Sequence, residues 1–182
     1  MVDAVIVTER LDLRRIDTAD AELVFDLFSD PEIARWTSVQ PMRTMDEANQ
    51  RTTYFMGRGG ALEWAGIYVV RERAAGSDLG IALVVPLPLS SGEAPTDVEI
   101  GWHFRPSAWG NGFATESGLA MAQHGFAHGV EHLYAVTHPD NVRSQAVCRR
   151  LGMSDIGVTD KWHGQPLRSF RLDQDRRSSA TS

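Results

Sequence analysis

The run from Asp97 to Glu116 constrains the fold more than any other part of the chain. Val98, Ile100, Trp102 and Phe104 alternate with Asp97, Glu99, Gly101, His103 and Arg105, the period of a strand with one apolar and one polar face. Trp109-Gly110-Asn111-Gly112 follows, and from there Ala114, Gly118, Met121, Ala122 and Gly125 recur at helical spacing. Small side chains on that face let a helix lie close against a sheet. A strand that passes through a glycine turn into a helix start leaves several backbone N–H groups unpaired and pointing one way. With the positive end of the helix dipole, those donors make a site for a phosphate or pyrophosphate. Glycine matters because the backbone itself must approach the ligand. A Gly-x-Gly pair alone is a turn; the strand before it and the helix after it give it meaning.

Bulk properties set wider limits. The 182 residues read as one domain over 1–175 with a polar tail over 176–182. A net charge of −6 disfavours nucleic-acid and anionic-membrane partners. The single Cys148 excludes an internal disulfide and suits a reducing, cytoplasmic compartment. Met1 to Val7 lacks a basic region and a long apolar core, so no signal peptide is expected. The most apolar run, Ile81 to Leu89, is short and carries Pro86 and Pro88, so no membrane span is expected.

The remaining pattern places strands near Leu11–Ile16, Trp64–Glu72, Leu79–Val85, Leu133–Thr137, Asp155–Lys161 and Pro166–Leu172. Helices are expected over Thr18–Phe28, from a capping box at Ser29-Asp30-Pro31-Glu32, and from a second box at Thr44-Met45-Asp46-Glu47. Another should run from Asn141 or Val142 to Gly152. With the Asp97–Arg105 strand, this implies an α/β (α+β) domain: one mixed, mostly antiparallel sheet of about seven strands with helices on both faces.

Glu99-Ile100-Gly101-Trp102, Pro106, Trp109-Gly110-Asn111-Gly112-Phe113-Ala114-Thr115-Glu116, Asn141 with Ser144, and Arg150-Leu151-Gly152-Met153 occur in that order. Together they resemble the GCN5-related N-acetyltransferase (GNAT) superfamily, and within it the RimJ/RimL-like branch of ribosomal-protein N-terminal acetyltransferases. Thr8-Glu9-Arg10-Leu11 and Asp30-Pro31-Glu32-Ile33 resemble that branch too. The family signature starts with Gln or Arg, where this chain has Trp109. The resemblance implies acetyl-CoA as donor, with no metal. The amides from Gly110 through Asn111, Gly112, Phe113 and Ala114 to Thr115 would hold the pyrophosphate. The strand at Trp102, His103, Phe104 and Arg105 would bond the pantetheine arm, Asn141 would reach it from the opposite lip, and Arg150 would lie near a phosphate. A homodimer is compatible with that branch.

Acetyl transfer to an amine needs a neutral nitrogen, a polarised thioester carbonyl and a proton for the departing thiolate. Deprotonating a lysine at neutral pH costs about 4–5 kcal/mol, an α-amine about 1. A modest base therefore suffices for an α-amine. Glu99, on the polar face of the strand before the loop, is the first candidate. Ser144 is the candidate donor to the thiolate; Cys148, on the same helix face, reads as packing, and no Tyr occupies that position. Trp36 and Trp162 are candidates for the acceptor mouth. His124, His128 and His132 lie four apart but straddle Gly129 without a completing carboxylate or thiol cluster, so they read as structural or exposed. The resulting expectation is direct acetyl transfer to the N-terminal α-amine of a protein or peptide. The alternatives are a small amine as acceptor, or a CoA-binding regulatory module without turnover.

Overall fold

The computed structural model describes residues 6–37 and 40–174. In chain order the strands are β1 (Ile6–Val7), β2 (Leu11–Arg15), β3 (Gly66–Glu72), β4 (Ser77–Leu87), β5 (Asp97–Phe104), β6 (His132–Thr137), β7 (Ser154–Thr159) and β8 (Leu167–Asp173). The helices are α1 (Ala21–Ser29), α2 (Pro31–Ala34), α3 (Met45–Met56), α4 (Phe113–Ala127) and α5 (Val142–Arg150). The strands form one sheet in the order β1-β2-β3-β4-β5-β6-β8-β7. Neighbours are antiparallel except β5 and β6, which are parallel. Eight strands stand among the described residues where about seven were expected. The additional one is β1, whose two residues are too few for alternation to reveal.

Each face of the sheet is covered by helices. On one, Val70, Ala82, Val84, Ile100 and Phe104 pack beneath Met121 and Ala122 of α4. On the other, Val69, Ile81, Leu83 and Val85 meet Val24, Leu27 and Phe28 of α1 and Ala48 and Phe55 of α3. Burial on both faces explains why Gly80 to Val85 is continuously apolar rather than alternating. α4 comes close because of its small residues: a Cβ on Gly118 would stand 2.9 Å from Leu151 Cδ1 and 3.2 Å from Trp102 Cζ3.

Helix starts follow local chemistry. Thr44 and Glu47 form the reciprocal capping box expected of α3. The expected cap at Ser29 is replaced by Asp30, whose side chain accepts from the Glu32 N–H at 2.8 Å. Pro31 explains the shift: its preset φ and missing N–H suit the first helical position and make the preceding residue the cap. Before α1, Thr18–Asp20 is a 3-10 turn with its own Asp17–Asp20 box, so the α-helix begins at Ala21 rather than at Thr18. Asn141 caps α5, and Gly152, just beyond it, has φ of +77°.

The Gly118 contact yields a stability prediction. Gly118→Val should destabilise the fold by about 1–3 kcal/mol through overpacking, despite better helix propensity. Urea unfolding should read this as a lower midpoint with an unchanged slope.

Candidate active site

β5 and β6 pair only at Val98 with Leu133 and Glu99 with Tyr134. Beyond Glu99 the strands part, so the β6-facing backbone groups of β5 from Ile100 to Phe104 have no strand partner. Between the separated strands lies a cleft of about 930 Å³. Trp102 and Phe104 form one wall; Ala135, Thr137, Asn141, Ser144 and Val147 form the other. The loop from Trp109 to Thr115 closes one end.

That loop has the expected anion-binding geometry. Gly110 and Gly112 have φ of +81° and +82°, where a Cβ is strained. The backbone N–H groups from Gly110 to Ala114 find no acceptor among the described residues; pairing resumes with Thr115 and Glu116, both donating to the Gly112 carbonyl at 3.0 Å. The Thr115 hydroxyl is buried and also lacks a partner. A row of unpaired donors beside an orphaned hydroxyl can hold a phosphate-bearing ligand. The loop is braced from both sides. Trp109 Nε1 donates to the Phe104 carbonyl at 2.8 Å, and Arg10 Nη1 donates to the Asn111 carbonyl at 3.0 Å. Glu116 accepts from Thr8 Oγ1 at 2.5 Å, Arg10 N at 2.9 Å and Arg10 Nε at 2.7 Å. Burial pushes the Glu116 carboxyl up, but these hydrogen bonds and the Arg10 charge outweigh it and hold it below the ordinary value.

At the point where the strands part, the Glu99 side chain is 12% exposed and lines the cleft. Its Oε2 lies 3.6 Å from His163 Nε2 and 4.0 Å from Arg58 Nη2. Ser144 lines the opposite wall. Its N–H donates to Asn141 Oδ1 at 3.1 Å, and its hydroxyl has no partner among the described residues. Cys148 is fully buried, and burial pushes its thiol up to about 12, so it is packing and not a nucleophile. His103 packs its ring against Phe28, 5.3 Å between centroids. Burial pulls its imidazole below the ordinary value; the Glu99 charge opposes this and Arg51 adds to it.

Of the other sequence candidates, Trp36, Trp102, His103, Phe104, Trp109, Gly110, Gly112, Phe113, Ala114, Thr115, Asn141 and Arg150 all line the cleft. Three do not. Trp162 is 2% exposed, with its indole N–H on Asp97 Oδ2 at 3.0 Å and its ring against Tyr134, so it is core and cannot meet an acceptor. The Arg105 guanidinium reaches α1 instead, donating to Asp26 at 2.8 Å. The Asn111 side chain folds back onto the Ala108 and Trp109 carbonyls. His124 and His128 pack around Trp64, and His132 binds Asp173, with no grouping of metal-ligand type among the described residues.

Three residues not singled out from the sequence belong beside the cleft. Arg143 lines it, with its guanidinium 4.6 Å from the Trp109 ring centroid. A basic residue in the first turn of a helix opposes the dipole, which is a readable sign of another purpose. Arg58 and His163 face Glu99 from distant segments, and no local pattern announces them. His163 has φ of +59°, a conformation costing a non-glycine residue about 1–2 kcal/mol.

The acetyltransferase (GNAT) domain family matches residues 10–154. The chain belongs to this family. It is an acetyl-CoA-dependent acetyltransferase, and the family acts on amines. The regulatory-module alternative is therefore set aside. Among relatives, it is 28% identical over 162 residues to the Bacillus subtilis (strain 168) protein YkkB, covering 87% of this chain and 90% of YkkB. It is 28% identical over 153 residues to the FsC-acetyl coenzyme A-N(2)-transacetylase of Aspergillus fumigatus, covering 82% of this chain and 64% of that protein. The solved structure of RimL, a ribosomal L7/L12 alpha-N-protein acetyltransferase in complex with coenzyme A, superposes with a TM-score of 0.76 at 17% identity, over 94% of this chain and 99% of that one. At that identity the likeness concerns the fold. No helix among the described residues is long and apolar enough to cross a membrane.

Two measurements check the electrostatics. Cys148 in the native protein should resist a thiol reagent at pH 8 and react within the mixing time once unfolded in urea. Glu116, with its carboxyl held low, stabilises the fold above the ordinary carboxylate range, and that contribution is lost as pH falls through its lowered value. Glu116→Gln should accordingly narrow the difference in urea midpoint between pH 7 and pH 3.5.

Proposed function

We propose that the chain transfers acetyl to the free α-amine of a protein or peptide N-terminus, by direct attack in a ternary complex. The carrying observation is the position of Glu99: the last residue of β5 paired to β6, at the start of the cleft whose far end is the loop of unpaired amides. A single carboxylate there matches an α-amine, which gives up its proton for about 1 kcal/mol at neutral pH. It matches a lysine side chain less well. The RimL fold likeness supports the same acceptor class.

Acetyl-CoA, when bound, supplies an activated thioester and a thiolate leaving group. The chain's residues fit it. The amides of Gly110 to Ala114 and the Thr115 hydroxyl offer donors to the pyrophosphate, with Arg143 and Arg150 supplying positive charge nearby. The edge of β5 from Ile100 to Phe104, which lacks a strand partner and is engaged among the described residues at the Phe104 carbonyl by Trp109, offers sheet-like partners to the pantetheine amides. The Asn141 amide nitrogen, without a partner among the described residues, faces them from the start of α5. Glu99 takes the proton of the acceptor amine, directly or through one water. Ser144, with its hydroxyl unengaged, donates a hydrogen bond to the departing sulfur. Trp36, at the cleft mouth beside Arg35 and His138, contacts the acceptor.

A small amine is the second reading. It is favoured by the Aspergillus relative, which is named for transacetylation at an N(2) position and not for a protein N-terminus, and whose identity to this chain exceeds that of RimL. Incubation with acetyl-CoA and a panel of N-terminal peptides and small amines separates the two. Acetylated products should appear among the peptides, with the acetyl on the α-nitrogen by fragment mass spectrometry. Glu99→Gln should lower kcat by about 10²- to 10⁴-fold while leaving acetyl-CoA binding unchanged. Product from small amines alone would move the acceptor to the second reading.

A further inference from the structure

The turn joining β7 to β8 is pinned far more firmly than a surface hairpin requires. Trp162 is buried and donates to Asp97 Oδ2 at 3.0 Å, and Lys161 Nζ reaches the same oxygen at 2.7 Å. Leu89 forms a β-bridge with Trp162. Ser90 N donates to the Lys161 carbonyl at 2.9 Å, Ser90 Oγ donates to the Asp160 carbonyl at 2.5 Å, and the Gly164 N–H donates to Ser90 Oγ at 2.9 Å. Between these anchors, the His163 N–H donates to the Pro88 carbonyl at 3.2 Å. His163 is the one non-glycine among the described residues with a positive φ, +59°, and it immediately precedes a glycine that shares that conformation. A strained residue held from both sides needs a reason. The reason is its side chain: Nε2 stands 3.6 Å from Glu99 Oε2.

We propose that His163 is a positioning residue for Glu99. This rests on the reading of Glu99 as the base. His163 and Arg58 both approach Oε2, and Oε1 has no hydrogen-bond partner among the described residues. His163 does not line the cleft, so it acts through Glu99 and not on the substrate. The surroundings of Glu99 comprise Arg58 after α3, His163 from the β7–β8 turn, and His103 further along its own strand, with Arg51 of α3 acting on His103. Asp97 is already engaged by Lys161 and Trp162. Of these groups, His163 gives Oε2 its nearest contact. His163 therefore holds the Glu99 carboxylate in its place at the opening of the cleft.

The test compares wild type, Glu99→Gln, His163→Gly and His163→Asn on the same acceptor. Glycine and asparagine both tolerate positive φ, so the turn is kept. Thermal unfolding should show His163→Gly at or near the wild-type midpoint. Its kcat should fall about tenfold or more, with the KM for acetyl-CoA within twofold of wild type. In the double variant with Glu99→Gln, His163→Gly should bring no further loss, because His163 acts through Glu99. A merely structural residue would cost activity in both backgrounds. An unchanged kcat in both His163 variants, or an equal loss from His163→Gly with and without Glu99→Gln, would overturn this proposal and leave the functional reading standing. Full activity in Glu99→Gln, or no turnover by wild type on any amine, would overturn both.

Discussion

The two-residue pairing between β5 and β6 is the constraint on which the site depends. A parallel pair inside a sheet ordinarily continues, because an unpaired buried backbone group costs free energy comparable to a lost hydrogen bond. Here it stops at Glu99 and Tyr134, although β5 remains fully paired to β4 along its other edge from Asp97 to Phe104. Five residues of strand edge are thus held rigid by one neighbour and released by the other. This makes a cleft with regular donors and acceptors along one wall, and it places the last paired residue, Glu99, where the opening starts. α4 cannot fill the gap, since it lies on the sheet face, and α5 stands across it.

The same logic extends to the end of the cleft. Helix starts leave N–H groups unpaired, and α4 has no side-chain cap at its own N-terminus: Gly112 in the left-handed conformation occupies the cap position. Capping by Ser or Asp there would consume the donors the site needs. The compensation comes from elsewhere. Glu116, in the first turn, is favourable to the dipole and ties α4 to Thr8 and Arg10 before β2, and Arg10 in turn holds the Asn111 carbonyl. Ion pairs on open surfaces contribute little. This one combines three hydrogen bonds on a largely covered carboxylate, so its role is to fix the loop's position while leaving its amides free.

How much of this was legible in the sequence divides along physical lines. The donor half was, because it is built from backbone: alternation gives β5, the glycines give the turn, small residues at helical spacing give α4, and all lie in the single stretch from Asp97 to Gly125. Local rules suffice there. They failed where two local signals competed, as at Ser29 and Asp30, and where an element was too short to have a period, as in β1. The acceptor half was mostly not legible. Glu99 could be found because its strand could be found, whereas Arg58 and His163 reach it from 41 and 64 residues away along the chain. Trp162 shows the converse error. Tryptophan at a hairpin turn suggests an exposed aromatic, but the Asp97 carboxylate and the Tyr134 ring, both distant in sequence, draw it into the core.

That division bears on what can vary within such a fold. The donor half answers to a ligand of fixed chemistry, and its backbone donors tolerate side-chain change, as Trp109 at the head of the loop illustrates: its indole N–H is spent on the Phe104 carbonyl. The side of the cleft proposed for the acceptor draws on side chains of the segment after α2, the segment after α3 and the β7–β8 turn. Each is joined to the sheet by a handful of contacts that can change without disturbing the core. A turn carrying His163 is an expensive way to place an imidazole, since the backbone strain must be met by the Asp97, Ser90 and Pro88 anchors around it. Those anchors all lie on β5 or on the segment that leads into it. The strand that presents Glu99 therefore also braces the residue that faces it, and a change in the register of β5 would displace both together, which links acceptor chemistry to the sheet and not to the loops alone.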